Sequence, residues 1–375
     1  EVALSPVDTG YAAWTFLGAA ALLDAVIWSV PWSYGILLDT YLQDPATTTQ
    51  PHATTLLPLV GTCSSGLMFC SGAIIYPYMC QYPRHRRPLR WAGILLCCAS
   101  LFASSYVRKV WELVMLQGVL YAIGGALAYH PCISYMSEWF VRRRGLANGV
   151  LFAGTSAGGL ALPFILPALL KAYGIFVTLR IISVASLLLL LACHPFIKPR
   201  LPESRIPGPA PRTSISPILG DRTFWAILVA NTLQGFAFFI PLVWLPTFAS
   251  TLQLRTALSS AALALLNGSS ALGPMLVGLL SDRLSPWPIA LIGSALSCLC
   301  TFVFWGAMRN TVGLMLFGAT YGLVAGSWST LWGQFAHRIS KGDPSLSMSL
   351  YGLFMMTRGL GNILCTPIST ALLST

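Results

Sequence analysis

The chain has 375 residues, of which 55% are hydrophobic and only 9% charged, with a mean hydropathy of +0.71. Ordinary soluble domains carry about 25% charged residues, so this composition excludes a water-covered globule and requires lipid as the solvent for most of the surface. The formal net charge of +11 would fit nucleic acid by its size alone, but its distribution along the chain excludes that reading.

Apolar stretches long enough to cross a bilayer, about 20 residues each, are predicted at 11–38, 53–80, 89–107, 110–136, 145–170, 175–197, 223–250, 257–281, 286–308, 311–336 and 347–373. The fold class expected is an all-α membrane protein with eleven spanning helices. Gly and Pro fall largely inside these spans, as membrane helices tolerate. Counting loops from the N-terminus, the even loops hold fifteen Lys and Arg and the odd loops five. By the positive-inside rule the N-terminus and the even loops are cytoplasmic. The basic excess therefore sets topology rather than binding nucleic acid.

Span 1 carries Asp24 near its middle, then Pro31, with Tyr34 just beyond the kink and expected to face a cavity. Span 4 carries His130 before Pro131, either a proton relay or a core residue bonded to a carbonyl that the proline frees. Glu112 and Arg180 lie toward the ends of spans 4 and 6 as gating or structural charges. After span 4 the loop reads Trp139-Phe140-Val141-Arg142-Arg143-Arg144-Gly145-Leu146-Ala147-Asn148-Gly149. Gly145, Gly149, Gly154, Gly158 and Gly159 then give span 5 a small-residue face, which packs closely or slides against a partner.

Residues 198–222 contain six prolines, which preclude a continuous helix. They are expected to link an N-terminal six-helix bundle, residues 1–197, to a C-terminal bundle, residues 223–375. Span 8 ends in Asp282-Arg283, placed as the basic loop Pro83–Arg87 is in the first half. Such repeats mark secondary transporters, whose site lies between the halves near the midplane. Asn231, Gln234, Phe238, Phe239 and Trp244 of span 7, Asn267 of span 8, and Tyr321, Ser327, Trp328, Trp332 and Gln334 of span 10 mix amides with aromatics, as an organic-molecule site requires. Span 11 carries Arg358 near its middle. The ten cysteines read as packing residues rather than a disulfide framework.

The loop Trp139–Gly149 and the opening of span 1, Asp8-Thr9-Gly10-Tyr11-Ala12-Ala13-Trp14 with Val30-Pro31-Trp32-Ser33-Tyr34-Gly35, resemble the monocarboxylate-transporter-like branch of the major facilitator superfamily, in its fungal form. Gly278-Leu279-Leu280-Ser281-Asp282-Arg283 resembles the superfamily loop motif in its second-half copy. The resemblance implies two bundles around a central cavity, alternating access, and a twelfth helix beyond Thr375. The chain departs from the proton-coupled members in three places. Trp32 stands where they carry a lysine. Ser269 and Gly273, before Pro274, stand where they carry an aspartate and an arginine. Cys80-Gln81 replaces an acidic-basic pair.

The resemblance also brings Asp24 and Arg358 toward one cavity, where they could meet. A charge at the bilayer centre costs at least about 2.5–3.5 kcal/mol, so neither faces lipid. Arg358 can hold a carboxylate with two hydrogen bonds. Asp24 is its counter-ion, a proton-coupling group with His130 as a second candidate, or half of a fixed structural pair. The expected substrate-binding set is Arg358, Asp24, Tyr34, Asn231, Gln234 and Trp328. The expected gating residues are Arg142, Arg143, Arg144, Asp282 and Arg283. The expected cargo is a small, monocarboxylate-like organic anion, with protons as possible co-substrate, in a monomeric protein of the plasma membrane. A carrier or exporter of a bulkier neutral metabolite and a non-transporting sensor are the alternatives. The chain has no phosphate-cradling Gly-Lys-Ser/Thr loop, no catalytic constellation and no metal-ligand spacing, so neither an enzyme nor a cofactor is expected.

Overall fold

A computed structural model describes residues 5–201, 218–252, 256–308 and 310–373, and among these it is helical throughout with no strand. Eight helical segments are long and apolar enough to cross a membrane. One of them, Arg144–Phe196, is 53 residues long and breaks at Gly174, where φ is 72° and ψ 172°. That backbone geometry is open to glycine and costly for other residues, and the chain turns back there. The second arm returns along a neighbouring helix: Arg180 bonds Ser105 at one end of that helix and His194 stacks on Trp91 at the other. With the split segment and two more polar helices, Arg86–Ser104 and Pro344–Leu373, the eleven predicted spans are all present among the described residues.

They are α1 (Tyr11–Gln43, turned at Ser33), α2 (Ala53–Cys70 continued by Gly72–Gln81), α3 (Arg86–Ser104) and α4 (Val110–Trp139). Next come α5 before Gly174 and α6 after it, in Arg144–Cys193, then α7 (Arg222–Thr251) and α8 (Thr256–Ser281). The last are α9 (Pro286–Ala307), α10 (Thr311–Ile339) and α11 (Pro344–Leu373). Residues 202–217, most of the expected linker, lie outside the described residues, as do Arg255, Arg309 and the side chain of Trp244.

Small residues set which helices touch. A Cβ on Gly154 would lie 2.3 Å from the Ala21 carbonyl oxygen and one on Gly158 would lie 2.1 Å from that of Ala25, so α5 rides backbone-to-backbone on α1. The near four-residue spacing read from the sequence serves this contact and, with Gly145 and Gly149, a second one against α8. Elsewhere α2 lies on α11, α7 on α11 and α8 on α10. Leu188 and Leu189 on α6, and Leu291, Ile292, Leu299 and Phe302 on α9, stay exposed. That apolar outer surface suits hydrocarbon as solvent.

Candidate functional site

A narrow cavity lies where α1, α2, α5, α7, α8, α10 and α11 converge, lined by Trp28, Trp32, Phe69, Phe152, Thr155, Ser156, Phe238, Ser270, Gly326, Ser329 and Arg358. A larger, mostly apolar groove of about 340 Å³ runs between α7, α9 and α10. No charged side chain lines that groove, although Gln234 and Trp328 of the expected substrate-binding set, with Tyr321 and Ser327, lie along it. The central cavity joins a fully buried charge to hydroxyls and rings, which makes it the candidate site.

Arg358 is 3% exposed. Its Nη1 donates to Gln234 Oε1, and Gln234 Nε2 in turn donates to the Ala325 carbonyl at 3.0 Å. The guanidinium carbon lies 4.5 Å from the Phe238 ring centroid, 5.4 Å from that of Phe239 and 6.0 Å from that of Trp332. Ring faces are electronegative, so this cage holds the cation without neutralising it. Among the described residues the ion pair is Arg86–Glu138, far from this site, and Arg358 has no carboxylate partner.

Asp24 does not meet Arg358. It is fully buried on α1, where its Oδ2 accepts from the Thr155 hydroxyl of α5 and the Trp28 indole lies beside the carboxylate. Thr155 lines the cavity, so Asp24 sits one layer behind the wall and reaches it through that hydroxyl. The counter-ion role expected from the resemblance is thereby corrected. The two helices that carry these charges pack on different neighbours, α1 on α5 and α11 on α2 and α7.

Three expected cavity residues are engaged elsewhere. Tyr34 is buried with its hydroxyl donating to the Leu57 carbonyl at 2.7 Å, so it pins α1 to α2 instead of facing cargo. Asn231 Oδ1 accepts from the indoles of Trp328 at 2.8 Å and Trp332 at 2.7 Å, and its Nδ2 donates to Phe354 O and Thr357 Oγ1, both at 2.7 Å. Its four hydrogen-bonding sites are filled, and Trp328 shares the same hub. Replacing Asn231 by Ala strands two buried indole donors at about 1–3 kcal/mol each. A thermal melt of the purified protein should fall well below wild type, while cargo affinity in the folded fraction stays unchanged.

His130 is fully buried, with Nε2 3.0 Å from Ser71 Oγ. Ser71 spends its proton on the Met68 carbonyl at 2.8 Å, so His130 donates from Nε2 and its unpartnered Nδ1 is the acceptor. The partners are thus the Ser71 hydroxyl and the Met68 backbone on α2 rather than a carbonyl freed by Pro131.

The expected gating residues gather at the basic-loop end of the helices. Asp282 accepts from the backbone N–H of Gly145 at 2.7 Å and of Leu146 at 2.9 Å, and from Gln334 Nε2 at 3.3 Å. It caps the first turn of α5 from the end of α8, where the helix dipole favours an anion. Burial raises its carboxyl above the ordinary range, against the pull of those two N–H groups. Arg144 Nη1 lies 3.1 Å from His337 Nδ1 of α10. Arg142 and Arg143 act through backbone: with Val141 they donate N–H groups at 2.9–3.1 Å to Asp8. Burial pushes Asp8 up, but those N–H groups and the Arg143 charge outweigh it and hold the carboxyl below its usual value. Arg283 is exposed.

The departures noted in the sequence also find places. Trp32 lines the cavity, its ring edge-on to Phe238 at 6.1 Å. Ser269 donates to carbonyls of Leu266 and Gly318, and Gly273 lies under Leu323 of α10, so both face α10 and not the cavity. Ser270 takes the cavity position, its carbonyl accepting from Ser156 at 2.9 Å. Sequence reasoning missed Thr155, Ser156, Ser270 and Ser329, hydroxyls hidden in small-residue faces read as packing.

Several known proteins are similar to this chain. "MFS-type transporter pytF" of Aspergillus terreus is 29% identical over 74% of this chain and 92% of its own length. "Aspyridones efflux protein apdF" of Emericella nidulans is 24% identical over 98% of this chain and 73% of its own. "Monocarboxylate transporter 10" of Danio rerio is 28% identical over 74% of this chain and 55% of its own. Among solved structures, the proton:xylose symporter XylE superposes with a TM-score of 0.67 at 14% identity, over 96% of this chain and 88% of its own. These proteins are transporters and not enzymes. The family model described as Major Facilitator Superfamily matches residues 13–366, and the chain belongs to that superfamily, beside the fungal transporters and the monocarboxylate-transporter-like branch that its loop motifs resemble.

Proposed function

We propose that this transporter carries a small organic anion, monocarboxylate-like, with its acidic group on Arg358 and its body among Trp28, Trp32, Phe69, Phe152 and Phe238. One observation carries the proposal: Arg358 is buried in the central cavity with no carboxylate partner among the described residues. Desolvating an unpaired guanidinium is expensive, and an anionic cargo offsets that cost each time it binds. The relative named a monocarboxylate transporter supports the same cargo class. The aromatic walls and the relative named an efflux protein favour a second reading, export of a bulkier conjugated metabolite with Arg358 as a fixed part of the wall.

In this proposal the halves 1–197 and 223–375, joined by the linker 198–222, rock about the cavity as a monomer. The basic loops and the N-terminus face the cytoplasm, and the plasma membrane is the default location. Asp24 takes the coupling proton behind Thr155. His130, held by Ser71 on the same side of the cavity, remains the second proton candidate.

The test is counterflow and uphill uptake of organic acids by the purified protein in liposomes at two pH values. Saturable counterflow of a carboxylate, lost on neutral analogues, is expected. Exchange needs no net proton movement, so Asp24→Asn should keep counterflow and lose accumulation driven by a pH gradient. Retained accumulation in Asp24→Asn removes the proton role. Equal flux of acid and neutral analogue favours the bulkier neutral cargo, and binding without flux favours a sensor.

A further inference from the structure

Asn231 and Gln234 stand one turn apart on α7, and each amide bridges α10 to α11. Asn231 joins the indoles of Trp328 and Trp332 to Phe354 and Thr357. Gln234 joins the Ala325 carbonyl to Arg358. Here α7 and α11 touch backbone to backbone. A Cβ on Gly361 would lie 2.9 Å from the Phe236 nitrogen, and one on Gly235 would lie 3.3 Å from the Arg358 Cα. Helices packed that closely leave a side chain between them little freedom to re-aim.

The orientation of the Gln234 amide follows from its two neighbours. α10 interrupts its α-helix after Ala325 and resumes it at Trp332, with a short 3-10 turn at Trp328–Leu331 between. Carbonyls at a helix end lack an intrahelical partner. The Ala325 carbonyl only accepts, so it takes Gln234 Nε2, at 3.0 Å. A guanidinium only donates, so Arg358 Nη1 meets Oε1. Exchanging the amide oxygen and nitrogen would set acceptor against acceptor and donor against donor.

This partner differs from a carboxylate in one respect that matters for cargo. An amide oxygen satisfies the guanidinium N–H and leaves its charge whole. Glu has nearly the same shape but would cancel that charge. Arg358 lines the central cavity, while Gln234 borders the groove between α7, α9 and α10. Gln234 therefore acts on cargo through Arg358 and not by touching it.

We infer that Gln234 is a positioning residue that makes the site anion-selective: it fixes Arg358 at the cavity wall with a neutral acceptor and leaves the positive charge to the cargo. The role rests on the proposal that Arg358 takes the acidic group of the cargo.

The test is counterflow by the purified protein in liposomes, with pyruvate, lactate and benzoate each set against its neutral amide. Gln234→Glu should raise the half-saturating concentration of the carboxylate by at least about tenfold and leave that of the amide unchanged. The new carboxylate stays ionised because it touches a guanidinium. Gln234→Met keeps the length without the acceptor or a charge, and should raise the carboxylate value by less than about fivefold. Both variants lose the bond to Ala325, so that loss cancels between them. A merely structural role gives the opposite order, since Glu still accepts from Arg358 and Met does not. A Glu variant that matches wild type, or a Met variant as weak as the Glu variant, overturns the inference. If Gln234→Met does not fold, the ratio of acid to amide in Gln234→Glu decides, because misfolding lowers both fluxes alike. Arg358→Gln separates the two claims. Weak carboxylate transport there, beside wild-type behaviour in Gln234→Glu, overturns the role of Gln234 alone. Full carboxylate transport in Arg358→Gln, or no preference for acid over amide in wild type, overturns the cargo reading and the role of Gln234 with it.

Discussion

Replacing Arg358 by Gln should weaken anion transport about 10- to 150-fold, with normal protein abundance. The magnitude follows from one lost charge-assisted contact, about 1.5–3 kcal/mol. The normal abundance follows from the geometry. Breaking a buried ion pair destabilises a protein because it strands the other charge. Here no carboxylate is stranded, because Arg358 has no ion-pair partner among the described residues and Asp24 is held by Thr155. Gln234 loses one donor and keeps its bond to Ala325. Arg358→Lys should fall between wild type and Gln, since lysine keeps the charge but not the two-pronged fork. Uptake kinetics beside an immunoblot read both halves of the prediction. Full transport in Arg358→Gln at normal abundance would sink the anion-anchor role and leave the cage of Phe238, Phe239 and Trp332 as packing.

The helix count was legible because hydropathy is a property of whole segments, and no tertiary contact is needed to read it. Gly174 illustrates the margin: two spans read from the sequence are one helical stretch with a single glycine hinge, and only the backbone dihedral shows how it turns. The buried charges were also legible one by one, since Asp24 and Arg358 stand out in apolar surroundings. Their partners were not. Whether a carboxylate meets an arginine or a threonine depends on the rotation of α1 about its own axis, and small-residue contacts with α5 set that rotation. Asn231 shows the same limit. An amide among aromatics fits a cargo site as well as a structural hub, and the choice is made by two indoles from α10 and two groups of α11. The cavity hydroxyls Thr155, Ser156 and Ser270 carried no signal at all, because small polar residues serve helix packing equally well.

The same packing predicts the second large effect. Gly278→Ala should all but abolish transport, and Gly268→Ala, on the same helix, should be tolerated. A Cβ at Gly278 would lie 2.3 Å from the Gly145 carbonyl oxygen and 2.8 Å from its carbon, whereas one at Gly268 would meet only the end of Leu160 at 3.9 Å. Backbone cannot step aside as a side chain can, so α5 and α8 must part at the basic-loop end. Overpacking of this kind costs about 1–3 kcal/mol. Parting the helices also draws Asp282 off the first turn of α5, losing its bonds to Gly145 and Leu146. An alternating-access carrier must visit the state closed at this end once in every cycle, and each 1.4 kcal/mol against that state lowers its population about tenfold. Acidification bears on the same contact. Burial raises the Asp282 carboxyl above the ordinary carboxylate range, so the closed end binds a proton more tightly than an open end with that carboxyl in water. Closure should gain, not lose, as pH falls toward that range. A cysteine in place of Asn148, buried behind the contact, would report the change by its labelling rate with a polar thiol reagent. Faster labelling in Gly278→Ala and unchanged labelling in Gly268→Ala are expected; equal rates in the two variants would show that α5 and α8 do not close this end.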